Sequence, residues 1–332
     1  MKRSIFYSIL LLPSVLISAA VFYLFYYTNL PQLLYIQSIR NINFDCVEFT
    51  DDDGYVYKMK PGKCRLKNIE YDTVINHNAS GYRVTAPAPA YEVTVLGDSH
   101  AYGFGVSDED TFSYLLGSEH NYRTMNLSIG SYATMRELEA LKKYGKDAKY
   151  IVLQYCDNDF GENVASLRLS TSDFKTQVNV GWKSLIENYY LGKSMGYKHI
   201  FSTLGNLIKS RAFLPIATWR SRVEERMIEQ EADVFARILD RYRPLLEGKR
   251  LIILESSGHG LNSPKLVTAF SFELNKIRWL SYKIIDATTV LNFGDYFFFD
   301  DHLRPVGHRK LAAAVANQID EWERDDPQLK DH

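Results

Sequence analysis

The sequence predicts a three-layer α/β/α domain on a doubly wound parallel sheet, preceded by a transmembrane helix and a small β-rich segment. Three observations carry that prediction. From Tyr91 onward, short apolar runs alternate with helix-compatible stretches, the rhythm of repeated strand–helix units. Several of those runs are apolar throughout, as strands are when helices cover both faces of a parallel sheet. The chain also carries no charged residue from Ser4 to Ile39.

In chain order, the first element is Ile5–Tyr27, almost wholly apolar and close to the ~20 residues a bilayer-spanning helix needs. Lys2 and Arg3 precede it, so the positive-inside rule leaves the N-terminus cytoplasmic and the rest of the chain extracytoplasmic. The expected arrangement is a single-pass membrane protein with residues 1–28 as its anchor. Ser18-Ala19-Ala20 offers a poor signal-peptidase site, and the apolar run continues through Val21–Tyr27 beyond it, which favours an uncleaved anchor over a signal peptide.

Residues 29–90 form the juxtamembrane and β-rich segment. Val47, Phe49, Tyr55, Tyr57 and Met59 alternate in strand fashion, with turn residues at 51–54 and 61–63. Cys46 and Cys64 bracket this region, and in an exported chain a disulfide between them is expected. Cys156, in an apolar strand, is left as a buried free thiol. Asn78-Ala79-Ser80 fits a glycosylation sequon, and Ala86–Pro89 reads as a linker.

Residues 91–325 form the main domain. Its expected strands are Glu92–Leu96, Tyr122–Leu127, Tyr150–Tyr155, Arg250–Glu255 and Tyr282–Asp286. Its expected helices are Glu109–Leu116, Thr134–Lys143, Val234–Leu246, Lys265–Leu280 and Pro305–Trp322. A helical insertion at about 164–226 interrupts the alternation. Within it, Gly181–Arg222 holds seven Lys or Arg against one acid, interleaved with aromatics. Such a face is either solvated or suited to an anionic membrane or glycan.

A formal net charge of −1 over 332 residues gives no basic footprint for a nucleic-acid partner. No metal-ligand spacing or cofactor motif is present, so neither a metal nor an organic cofactor is expected.

Function gathers at the C-terminal strand ends of such a sheet. The first strand ends in Leu96-Gly97-Asp98-Ser99-His100, a tight turn that places Ser99 at a helix start, where backbone N–H groups and the helix dipole favour developing negative charge. Later strand ends add the loop Asn126–Thr134, then Cys156-Asp157-Asn158-Asp159, and finally Asp300-Asp301-His302 through His308 before the last helix. Together they hold a nucleophile, oxyanion donors and a carboxylate–imidazole pair.

These four blocks, in this order, resemble those of the SGNH hydrolases, also called GDSL-type esterases and lipases. The match spans about residues 70–322 and includes Asn78–Arg83 upstream and Gly103 and Gly105 after the serine. The resemblance implies a flavodoxin-like fold, with Ser99 as nucleophile, His302 as general base and Asp300 orienting it. It implies an oxyanion hole from the Ser99 N–H, a backbone N–H at Gly130 or Ser131, and the Asn158 amide.

Two positions depart from the family pattern. The glycine usual five residues after the second-block asparagine is replaced by Ser131, with Gly130 just before it. The acid usual three residues before the histidine is replaced by Phe299. The shorter Asp-x-His spacing fits Asp300, and Asp301 is the poorer candidate because adjacent side chains seldom meet. His308, Asp98 and Asp159 are expected to be structural, the two aspartates bonding backbone groups. His100 is the alternative base, and His259 a candidate substrate contact.

The expected activity is that of a serine esterase removing acyl groups, acetyl foremost, from a cell-envelope or exported polysaccharide. A lipase or lysophospholipase, a polysaccharide O-acyltransferase and a non-catalytic glycan-binding protein are the alternatives. The partners implied are an acylated carbohydrate or lipid substrate and the membrane.

Overall fold

The computed structural model describes residues 13–21, 44–50, 55–190, 221–258, 262–298 and 300–325. Residues 13–21 are helical. The remainder of the expected Ile5–Tyr27 anchor lies outside the described residues, and among those described no helix is long and apolar enough to cross a membrane. His259, Phe299 and most of the basic, aromatic run at 181–222 also lie outside them.

The β-rich segment consists of two antiparallel hairpins. One pairs β1 (Val47–Phe49) with β2 (Tyr57–Met59), the other β3 (Gly62–Lys67) with β4 (Asp72–His77). The hairpins form separate two-stranded sheets, and two strands alone are marginal in water. A disulfide joins Cys46, just before β1, to Cys64 in β3, with Cα atoms 5.8 Å apart. Cys46, Cys64, Leu66, Tyr71 and Ile75 then cluster with Tyr102, Val106 and Phe297 of the main domain.

The main domain holds five parallel strands: β5 (Val93–Leu96), β6 (Thr124–Asn126), β7 (Tyr150–Tyr155), β8 (Arg250–Glu255) and β9 (Ser281–Asp286). Their order is β6-β5-β7-β8-β9. The chain winds outward from β5 in both directions, which opens a crevice at the strand tips where the winding reverses. β7 and β8 match their expected bounds, whereas β6 is shorter than Tyr122–Leu127.

Alternate residues of these strands feed two separate cores, as the two-residue period requires. Leu96, Ile151, Leu153, Tyr155, Leu251 and Ile253 face one layer with Leu138, Phe235, Leu239 and Phe270. Val93, Val95, Val152, Ile252 and Leu254 face the other with Phe112, Leu116, Leu311, Val315 and Ile319.

The helices are α1 (Ser99–Tyr102), α2 (Phe112–Ser118), α3 (Thr134–Ala140), α4 (Asp159–Arg168), α5 (Thr171–Tyr190), α6 (Ser221–Arg241), α7 (Arg243–Leu246), α8 (Pro264–Leu274) and α9 (Pro305–Asp325). Several bounds differ from expectation for local reasons. α2 starts after Thr111, whose side chain accepts from the Tyr114 N–H as an N-cap. α3 passes into one π-helical turn at Leu141–Gly145. α6 begins thirteen residues before Val234, and α8 begins after the Ser263 cap and stops at Leu274 rather than Leu280.

Candidate active site

The nucleophile turn rests on Gln154 and Gly97. Gln154 Oε1 accepts from the Asp98 N–H (3.1 Å) and the Ala101 N–H (3.3 Å), and its Nε2 donates to the Ser256 carbonyl (3.1 Å). One buried amide thus ties together the tips of β5, β7 and β8. A side chain at Gly97 would put its Cβ 2.6 Å from both Gln154 Oε1 and the Ala101 Cβ. Glycine is what lets the turn lie on the amide.

α1 is a single turn, ended by Gly103 in the left-handed conformation. This corrects the expectation of a helix dipole at Ser99, because four residues align too few peptide dipoles. What α1 offers is the N–H of Ser99 itself, which has no intrahelical acceptor, since the His100 and Ala101 N–H groups are taken by Asp98 and Gln154. Buried Arg83 fixes the chain beyond it, donating to the Tyr102 carbonyl (2.9 Å), the Gly103 carbonyl and the Val106 carbonyl (2.5 Å) and pairing with Asp108 (2.9 Å).

Ser99 Oγ lies 2.7 Å from His302 Nε2. His302 Nδ1 forms a short hydrogen bond with Asp300 Oδ1, and the His302 N–H donates to the same oxygen at 3.2 Å. With its Nδ1–H donating to that carboxylate, the ring turns the Nε2 lone pair toward the serine hydroxyl. Asp300 is 1% exposed and His302 5%. Asp301 Oδ1 also reaches to 3.5 Å of Nδ1, beyond a good hydrogen bond. Asp300, Asp301 and His302 bring metal-capable atoms within 4.8 Å of one another, but the Asp300–Nδ1 hydrogen bond already engages two of them.

Asn158 Nδ2 donates to Asp98 Oδ2 at 3.2 Å, while Asp98 Oδ1 caps α1 through the His100 N–H at 2.8 Å. Asp98 bonds backbone as expected and also holds the Asn158 amide, whose nitrogen keeps a second hydrogen to offer. Of the pair 130–131, Gly130 packs on the nucleophile: a Cβ there would sit 3.7 Å from the Ser99 Cβ. Ser131 takes φ of 60°, uncommon for a non-glycine residue, and its carbonyl accepts from Arg136. Arg136 is itself buried, paired with Glu162 at 2.6 Å and stacked 4.2 Å over Tyr132.

His100 is buried with its ring 5.0 Å from that of His302, and burial lowers its pKa. It packs on His302, which is the imidazole that reaches Ser99. His308 Nδ1 accepts from the Phe112 N–H at 3.3 Å, and burial pushes its pKa down to about 3.

Asp159 departs from expectation. Both of its carboxylate oxygens are buried with no hydrogen-bond partner among the described residues, as are both oxygens of Glu137. Burial raises the pKa of each, reinforced at Asp159 by repulsion from Glu137 and at Glu137 by repulsion from Asp98 and Glu162. Burial likewise raises that of the free thiol Cys156.

Sequence reasoning assigned no role to Gln154, Arg83 or Arg136, and it missed a contact from the β3–β4 turn. Tyr71 Oη donates to Asp300 Oδ2 at 2.8 Å, with Asn68 Nδ2 at 3.4 Å from the same oxygen. Only a polar residue buried among apolar neighbours could have signalled any of these, and burial is not visible in one sequence.

No family model matches this sequence, and no curated protein matches it. Solved structures of similar outline include a carbohydrate esterase family 2 enzyme with a carbohydrate-binding domain from Corynascus thermopiles (Myceliophthora fergusii). It is 14% identical, with a TM-score of 0.40 over 76% of this chain and 73% of that one. An acetyl xylan esterase (Est2A) from the rumen bacterium Butyrivibrio proteoclasticus is 13% identical, with a TM-score of 0.37 over 72% and 66%. The lipase Lip_vut3 from a goat rumen metagenome is 13% identical, with a TM-score of 0.36 over 68% and 97%. Likenesses this distant carry no inference about chemistry.

Proposed function

We propose that the chain is a serine ester hydrolase of the SGNH type, with Ser99, His302 and Asp300 as its catalytic residues. The observation that supports this most directly is the line from Ser99 Oγ through His302 to Asp300, with Oγ 2.7 Å from Nε2. In this reading Ser99 Oγ attacks the ester carbonyl as His302 Nε2 takes its proton, and Asp300 stabilises the imidazolium that forms. The oxyanion is held by the N–H groups of Ser99 and Gly130 and by the second Nδ2 hydrogen of Asn158. Collapse expels the alcohol, which takes the proton from His302. Water then repeats the sequence on the acyl-enzyme.

The substrate we propose is a short acyl ester, acetyl foremost, on an envelope or exported polysaccharide. Close to Ser99 lie the polar groups of His302, His100, Asn158 and Asp98, with the Phe104 ring 4.8 Å from that of His302. A small acyl group on a polar alcohol suits these polar neighbours, whereas a long acyl chain needs an extended apolar wall. Location is part of the same proposal: Ile5–Tyr27 anchors the chain, and the catalytic domain is extracytoplasmic. The Cys46–Cys64 disulfide is in keeping with an oxidising compartment.

The test is hydrolysis of p-nitrophenyl esters of increasing chain length by the full-length protein. Activity that is greatest on acetyl and lost in Ser99→Ala and His302→Ala is expected. Equal inertness of wild type and Ser99→Ala across all chain lengths refutes the hydrolase reading, preference for long chains transfers it to a lipase, and acyl transfer to added glycan exceeding hydrolysis makes it a transferase.

A further inference from the structure

We propose that the disulfide-tied β hairpins belong to the reaction centre, with Tyr71 as the positioning residue that sets the Asp300 carboxylate for His302. The inference deepens the serine-hydrolase reading and rests on it.

An aspartate's terminal torsion is broad and close to two-fold, so one hydrogen bond to His302 leaves the carboxylate plane poorly determined. In this chain the two oxygens are divided. Oδ1 takes the imidazole, and Oδ2 takes the Tyr71 hydroxyl at 2.8 Å. The main chain around Asp300 is held from the same turn: Glu70 Oε2 accepts from the Asp300 N–H at 2.8 Å, and Oε1 from the Phe298 N–H at 2.5 Å. Asn68, Glu70 and Tyr71, all in the β3–β4 turn, thus face one catalytic loop more than 220 residues away in sequence.

Tyr71 is itself fixed. Its ring meets Phe297 at 5.1 Å and the edge of Phe104 at 6.1 Å, and Phe104 in turn lies 4.8 Å from the His302 ring. A Cβ at Gly105 would come within 2.8 Å of the Tyr71 ring, so the main domain makes room for it. The other hairpin reaches the opposite side of the site, where Tyr57 Oη donates to the Gly130 carbonyl at 2.5 Å. The Cys46–Cys64 bridge joins the two hairpins, so one cross-link ties the grip on the acid to the grip on the Gly130 loop. Supporting contacts of this kind matter because a small misplacement of a catalytic group costs rate out of proportion to its size.

The test uses Tyr71→Phe in the full-length chain, which removes one hydroxyl and keeps the ring. The expected result is a kcat lower by about tenfold or more, an unchanged KM, and no further loss when Tyr71→Phe is added to Asp300→Ala. A residue that only stabilised the fold would instead add its effect to that of Asp300→Ala. Unchanged kcat, or additive losses, overturns the proposal. A second readout needs no turnover: the Nδ1 proton of His302, followed by NMR, should move in Tyr71→Phe, and an unmoved line also overturns it. If activity survives Ser99→Ala, the hydrolase reading fails, and the NMR line alone then decides whether Tyr71 positions Asp300.

Discussion

Replacing Gln154 with methionine, a side chain of similar length, should destabilise the protein by about 3–5 kcal/mol. The figure comes from the groups left behind. Gln154 satisfies the N–H groups of Asp98 and Ala101 and the carbonyl of Ser256, and these three residues are fully buried. An orphaned buried donor or acceptor costs about 1–3 kcal/mol each. The 3.3 Å bond to Ala101 belongs at the low end of that range, and methionine recovers part of the total by having no amide to desolvate. Urea unfolding of wild type and Gln154→Met, compared at unchanged m-value, measures the difference. A loss below about 1 kcal/mol would refute the reasoning, since the three strand tips would then be satisfied without the amide. Gly97→Ala should share this signature, because its methyl would crowd Gln154 Oε1 at 2.6 Å.

Asn158→Ala should lower kcat by about 10²–10³-fold, the usual cost of one oxyanion donor, and should also cost about 1–3 kcal/mol of stability by orphaning Asp98 Oδ2; a kcat loss under tenfold would remove Asn158 from the hole. Buried Glu255 has its pKa raised by desolvation to about 8. The native state therefore holds a proton that the unfolded chain has lost, and stability falls as pH rises from about 4.5 to about 8, by at most about 1.4 kcal/mol per unit. Glu255→Gln should flatten that decline, and a variant with the wild-type slope refutes the assignment. His308 acts with the opposite sign: its pKa is depressed to about 3, so stability is lost as pH falls below about 6.5, and His308→Gln should reduce that loss in the same urea series.

The strand tips were legible in the sequence because each is a local event. Gly97-Asp98-Ser99, Gly130 and Asn158 each follow an apolar run of their own, and a parallel sheet brings such tips to one edge whatever the details of packing. Helix boundaries were less legible because caps and side-chain contacts move them. Asp108, Glu109 and Asp110 look like the acidic first turn of a helix, yet Asp108 is taken by Arg83 and Asn76, and the α-helix waits for Thr111. The early start of α6 had a signal that went unused: Ile228, Ala232, Phe235 and Leu239, which face one core, continue a helical spacing upstream of Val234.

The contacts that turn those tips into a site left no local trace. Tyr71 reads in the sequence as one more aromatic in a hairpin, and nothing within ten residues of it marks it as a partner of Asp300. Asp98 reads as a helix cap, and it is one, but its second oxygen holds Asn158 from another strand. Both residues satisfy a local rule and a distant one at once, and only the local rule has a sequence signature. A one-sequence reading therefore finds the groups that would react and misses the groups that aim them. In this chain most of the aiming falls to buried polar side chains: Gln154 under the nucleophile turn, Asp98 behind Asn158, Arg136 behind Ser131, and Tyr71 behind Asp300. Each has an apolar look-alike that would fill the same volume, and each such replacement leaves a buried donor or acceptor unpaired. Their polarity has a cost that packing alone does not explain, and it is best understood as what holds the line from Ser99 to Asp300 in place.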